Sequence, residues 1–245
     1  MNEIRIKGLN CYPEEGEGFS GLDADLTGKK LIGIVSEIEE QAILMLRILA
    51  GLHQPAEGQI FYDQFSIYDI NDEERSKLVR NNSFVFDTGG LVSNLSVLEN
   101  ISLPYDFVNR DDTEEKKIGE LKKIIDLFGV DQSILTKRPS ALNKSEIKII
   151  NYIRAFLIDP EVVFIELPFA RLSKSAERII EGLITERSFQ KEKTHIFATQ
   201  RYSKLLEEAD AVIAIKKGTA WYFPRVPGEE STFDFHNFFE IQEIS

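Results

Sequence analysis

The sequence predicts an α/β protein with a mostly parallel core sheet, an N-terminal antiparallel β layer and a helical subdomain. Three observations carry this. Four continuous apolar runs, at 31–35, 162–165, 195–199 and 211–215, have the length and β-branched content of strands buried on both faces. Short alternating segments precede and follow the first of these runs, as in half-exposed antiparallel strands. Between about 91 and 158 the apolar residues instead recur at helical spacing, with Leu121, Ile124, Ile125 and Phe128 in one set and Ile147, Ile150, Ile153 and Phe156 in the next.

Taken in order, Ile4, Ile6 and Leu9 alternate with Arg5 and Lys7 as a strand. Gly16, Gly18 and Gly21 read as a turn before a second strand at 22–26. The run 31–35 passes through a short polar loop into an apolar helix ending near Ala50, Gly51 and Leu52, which is the layout of a phosphate-binding loop. A turn at 55–58, a strand at 59–67, a helix at 71–80 with Asp72, Glu73 and Glu74 at its positive end, and a short strand at 83–86 follow as an expected βαβ unit. Within the helical stretch, 111–117 reads as a charged connection, Gly129 and Asp131 end one helix, and Pro139 marks the loop before the next. A helix at 176–185 then separates the last core strands.

At 245 residues the chain can bury a full core, and its 42% hydrophobic and 10% aromatic content is that of a globular protein. Neither a membrane span nor a secretory signal is evident, and the single Cys11 excludes an internal disulfide, so a cytoplasmic protein is expected. The net charge of −12 disfavours nucleic acid and anionic lipid as direct partners. Acidic groups at Glu14, Glu15 and Glu17 and at 111–115 read as solvated loops and helix ends.

Several strings occur in one recognisable order: LAGL followed by PAEGQIFYD; SNLSVLENISLP; RPSAL with NYIRAFLIDPEVVFIELP; and IFATQ. From about residue 4 to 222 the chain resembles the nucleotide-binding subunit of ABC transporters. The run 89–104 resembles cassettes of the lipid-transporting Mla/Mce group in particular. The resemblance implies a P-loop cassette with a core of 1–90 and 159–222, a helical subdomain at 91–158 and a C-terminal tail at 223–245.

It also implies positions for nucleotide contact, and this chain departs at nearly all of them. The phosphate-loop glycines fall on Ser36, Glu39 and Gln41, the Lys on Ala42 and the Mg²⁺-binding Ser/Thr on Ile43. Such a loop works through unobstructed backbone N–H groups and a cation, whereas Glu39 and Glu40 bring like charge to a phosphate. One such pair at ~4 Å and an effective dielectric near ~20 costs on the order of 4 kcal/mol. Asp87 stands for the Gln that reaches Mg²⁺ and the attacking water; a surface or cap role is the plainer reading. The signature Leu-Ser-Gly-Gly-Gln becomes Leu142, Asn143, Lys144, Ser145 and Glu146, in which Asn143 with Glu146 makes a helix-capping pair. Glu166 stands for the Mg²⁺-binding Asp, Leu167 for the general base, Ser173 for a later Asp and Gln200 for the His that meets the γ-phosphate. Tyr12 falls where an aromatic ring stacks on adenine, and packing is its expected role. His195 is read as structural.

The departures fall on nucleotide and metal contacts, while core and turn positions match. The expectation is therefore a pseudo-ATPase with no catalytic residues, no metal and no cofactor, acting through a membrane permease subunit, a second cassette or a homodimer. Gly89, Gly90, Leu91 and Leu95 are the candidate permease groove. The alternative is a divergent but working subunit that binds MgATP. A third reading, a cation-accepting pocket at Glu37, Glu39 and Glu40, competes with a plain exposed acidic loop.

Overall fold

A computed structural model describes residues 3–12, 17–109, 111–226 and 233–240. Ten strands form one sheet in the order β5-β4-β1-β2-β10-β9-β3-β8-β7-β6. They are β1 (Ile4–Cys11), β2 (Phe19–Asp25), β3 (Leu31–Ser36), β4 (Glu57–Tyr62), β5 (Phe65–Ser66), β6 (Asn82–Val85), β7 (Val162–Glu166), β8 (Thr194–Thr199), β9 (Ala211–Lys216) and β10 (Thr219–Pro224). The five strands β6, β7, β8, β3 and β9 run parallel, and β1, β2, β4 and β5 pair antiparallel. Strand β10, antiparallel to β9, joins the two parts by meeting β2.

Every residue of β3 is buried because the strand lies at the middle of the sheet with packing on both faces. Its alternation divides the core. Ile32 and Ile34 face a cluster shared with β1, β2, β4 and helix α1 (Glu39–Leu49), whereas Leu31 and Val35 face a second cluster on the opposite side. That second cluster takes in α3 (Val97–Val108), α4 (Glu114–Phe128), α5 (Lys144–Leu157), α6 (Lys174–Phe189) and α8 (Phe235–Phe239). The remaining helices are α2 (Asp72–Val79) and α7 (Lys204–Glu207). Capping boxes at Asn71, Ser96 and Asn143 start α2, α3 and α5, and left-handed Gly129 stops α4.

Several expected boundaries are corrected. The strand read at 59–67 is a hairpin, because Asp63 takes a φ of 54° and turns the chain between Tyr62 and Phe65. Strand β6 does not close a βαβ unit with β4; the two sit near opposite ends of the sheet. Gly21 lies inside β2 at a φ of 82°, beside a register shift in the β1–β2 pairing, whereas Gly16 of the expected turn is outside the described residues. Residues 114–117 belong to α4, which Thr113 caps. Strand β10 and helix α8 were not anticipated. The aromatic tail packs back on the fold, with Phe233 and Phe238 against Phe223 and Phe238 edge-on to Trp221, while 227–232 and 241–245 lie outside the described residues.

Gly58 makes a close backbone approach in the antiparallel layer and combines it with a left-handed conformation. It has a φ of 90°, and a Cβ there would stand 2.4 Å from the Gly8 carbonyl oxygen. A methyl group must therefore push two backbones apart as well as occupy a strained conformation. We expect Gly58→Ala to cost at least about 2 kcal/mol in urea unfolding; a cost under about 0.5 kcal/mol would contradict this packing.

Candidate functional site

The connection from β3 to α1 is two residues, Glu37 and Ile38. Its polar groups are satisfied from within. Ser36, 1% exposed, donates its hydroxyl to the Gln41 Oε1 at 2.8 Å and accepts from the Ile38 N–H at 3.1 Å. Gln41, 2% exposed, donates its Nε2 to the Gly18 carbonyl at 2.8 Å, and Gln200 donates its Nε2 to the Glu37 carbonyl at 2.5 Å. Ala42 is buried among the apolar residues under the sheet and Ile43 is packed partly against them. Glu37 and Glu40 are exposed and Glu39 is half-buried.

Beside this loop lies a cluster of charges. Glu166, at the end of β7 and 2% exposed, accepts from the Arg47 Nε at 2.7 Å with one oxygen and from the Asp87 backbone N–H at 2.9 Å with the other. Asp87 takes two hydrogen bonds from Arg171, at 3.0 and 2.9 Å, through Oδ2, and its Oδ1 stands 3.6 Å from the Lys148 ammonium. Lys148 is fully buried, donates to the Glu166 carbonyl at 2.5 Å and lies 5.7 Å from the Tyr152 ring. Burial pushes the Lys148 ammonium down to about 8; the nearby Asp87 and Glu166 carboxylates oppose that shift, so it stays charged at neutral pH.

Asp87 is thus 6% exposed and ion-paired, which corrects the surface role expected for it. Arg47, Lys148 and Arg171 were missed. Lys148 left one trace in the sequence, a cation inside the apolar stripe of α5; the two arginines left none.

The structure brings Glu39, Asp87, Leu167 and Gln200 to one cleft of about 750 Å³, with Arg171 and Arg201 also on its wall. Leu167 holds a φ of 43° there, and its N–H donates to the Ala198 carbonyl at 2.9 Å. Asn143, Lys144 and Ser145 sit apart from that cleft at the start of α5, with Lys144 exposed and Asn143 bonded to the Glu146 N–H. Ser173 caps α6. Tyr12 is 62% exposed, a correction to its expected packing; its backbone borders Gly18, whose carbonyl holds Gln41. Among the described residues no group of three or more His, Cys, Asp or Glu could hold a metal ion.

The four candidate groove residues make different contacts. Gly89 and Gly90 have their carbonyls held by Asn151 and Arg154, Leu91 packs partly against the second core cluster, and Leu95 lines a groove of about 740 Å³ between α3 and α4. A separate groove of about 470 Å³ between β6 and α3 is lined by Phe84, Phe86, Leu103, Pro104 and Phe107. Among the described residues no helix is long and apolar enough to cross a membrane.

No family model matches the chain. It is 24% identical over 221 residues to the sulfate/thiosulfate import ATP-binding protein CysA 1 of Agrobacterium fabrum, covering 88% of this chain and 61% of that protein. The CysA 1 of Rhizobium meliloti is 26% identical over 219 residues, with the same coverage of 88% and 61%. The chain thus spans about 61% of the length of these curated relatives. Among solved structures, the dimeric post-hydrolysis state of the ATP-binding cassette MJ0796 bound to ADP and Pi superposes with a TM-score of 0.77 at 21% identity, covering 95% of this chain and 100% of that one. The cbiO1 protein of Clostridium perfringens, part of the cbiONQ transporter complex, gives 0.68 at 20% identity, covering 89% and 86%. The chain has the fold of the ATP-binding cassettes of ABC transporters, and its sequence is similar to proteins described as ATP-binding subunits for import.

Proposed function

We propose that the chain is a nucleotide-independent cassette subunit of a membrane transport complex, a pseudo-ATPase that works through protein contacts. The observation that carries this reading is the Ser36–Gln41–Gly18 hydrogen-bonded network, in which side chains and a backbone carbonyl of the chain itself take up the polar groups at the start of α1. MgATP does not fit the residues present. The only cation between 31 and 52 is Arg47, and it is bonded to Glu166, the carboxylate at the metal-binding position. Leu167 at the general-base position has no group to accept a proton.

The division into core and helical subdomain and a location at the inner face of the membrane, reached through a permease, belong to the same reading. Its docking surface would be helix α3, which separates the two apolar grooves and exposes Leu98, Leu103 and Phe107. A second cassette or a second copy of the chain would complete the assembly. Lipid, from the resemblance of 89–104 to the Mla/Mce group, and sulfate or thiosulfate, named for the relatives, are the candidate cargoes.

A working ATP-binding subunit is the second reading. Exposed Tyr12 at the rim of the loop favours it, as do relatives described as ATP-binding proteins. Melting the protein with millimolar MgATP separates the two. A ligand at 100-fold excess over its Kd adds about 2.7 kcal/mol, so binding would raise Tm visibly. We expect no shift; a saturable one overturns the nucleotide-independent reading.

A further inference from the structure

Residues 86–95, in the connection from β6 to α3, are held at their start, middle and end by polar side chains, all of them buried except the half-buried Arg154. At its start, Lys148 reaches the Phe86 carbonyl at 3.4 Å, and Glu166 accepts the Asp87 N–H. In its middle, Asn151 donates to the Gly89 carbonyl at 3.0 Å and Arg154 to that of Gly90. These three α5 residues are spaced i, i+3, i+6 and so form a row along one side of the helix. At its end, the fully buried Asn100 of α3 accepts from the Val92 N–H at 2.7 Å and donates to the carbonyls of Val92, Leu95 and Ser96.

We propose that this row and the charge cluster at its root form an internal clasp, a substitute for a ligand, that keeps helix α3 and its exposed apolar face in one fixed arrangement. The cluster has three cations and two carboxylates, all from the chain itself: Arg47 from α1, Lys148 from α5, Arg171 from beyond β7, Asp87 and Glu166. Buried ion pairs of this kind contribute little net stability compared with an apolar core, yet they tolerate few alternative geometries. Their effect falls on the position of the 86–95 connection and so on α3. The inference deepens the pseudo-ATPase reading and rests on it, since a clasp supplied by side chains leaves nothing for nucleotide to add.

Hydrogen exchange on the full chain tests it, with the amides of Asp87, Val92 and Leu95 as the readout. Lys148→Met is expected to speed their exchange at least about tenfold while leaving β3, β8 and β9 unchanged, because only the local opening energy falls. Arg171→Gln, at a more exposed position, is expected to give a smaller increase in the same amides. It also serves as the deciding variant if Lys148→Met does not fold. Unchanged exchange in the foldable variants, or faster exchange spread evenly over the core sheet, overturns the clasp. Millimolar MgATP is expected to leave the wild-type exchange of these amides unaltered. Slowing by MgATP would sink the nucleotide-independent reading alone if Lys148→Met still loosened the segment.

Discussion

Replacing Glu166 by Ala is expected to cost about 3–5 kcal/mol of stability, a large fraction of what a domain of this size has. The side chain is 2% exposed and uses both oxygens, one for Arg47 and one for the Asp87 amide. Arg47 is 45% exposed and can turn to water when its partner goes. Lys148 cannot, because it is fully buried and loses one of the two carboxylates that offset its desolvation. The orphaned Asp87 N–H adds its own penalty. Glu166→Gln keeps an acceptor for that amide and removes only the charge, so about half the loss is expected. Urea unfolding of both variants measures this, and a cost below about 1 kcal/mol for Glu166→Ala would contradict the role given to the cluster.

Acid is expected to destabilise the protein through His195, in addition to its ordinary carboxylates. The ring is fully buried on β8, with Nδ1 2.8 Å from the Ser188 hydroxyl. Burial pushes its pKa from 6.5 down to about 3; the Arg187 charge adds to the shift, and a backbone hydrogen bond at Lys193 opposes it. Between those two values the unfolded chain binds a proton that the folded chain refuses. The contribution is therefore complete above pH 6.5 and falls as pH drops toward 3, at up to about 1.4 kcal/mol per pH unit. Unfolding midpoints from pH 7 to pH 4 should fall more steeply in the wild type than in His195→Gln, which has no proton to gain. Equal slopes would mean that the ring is protonated in the folded state.

Legibility in the sequence followed the range of the interaction. The helix starts at Asn71 and Asn143 and the αL stop at Gly129 are set by residues within four positions of one another, and they stood where the spacing put them. The core strands were equally plain, because a strand covered on both faces must be apolar throughout. By contrast, the hairpin between β4 and β5 has no Gly, Pro or Asn-Gly at its turn. Helix α8 has five residues, too few to show a period.

What the sequence determined by itself is the α/β architecture, a mostly parallel core sheet with an antiparallel layer, and a loop after β3 that carries neither Gly nor Lys between 36 and 43, because each is a matter of residue type at a local spacing. Only the tertiary structure decided which charges meet beside that loop. Arg47 meets Glu166 across 119 positions of the chain, and Arg171 meets Asp87 across 84. A charge pair at such a separation leaves no periodicity and no motif. It exists because β6 and β7 lie side by side in the sheet, with α1 on one face and α5 on the other, so that one small volume receives side chains from four elements.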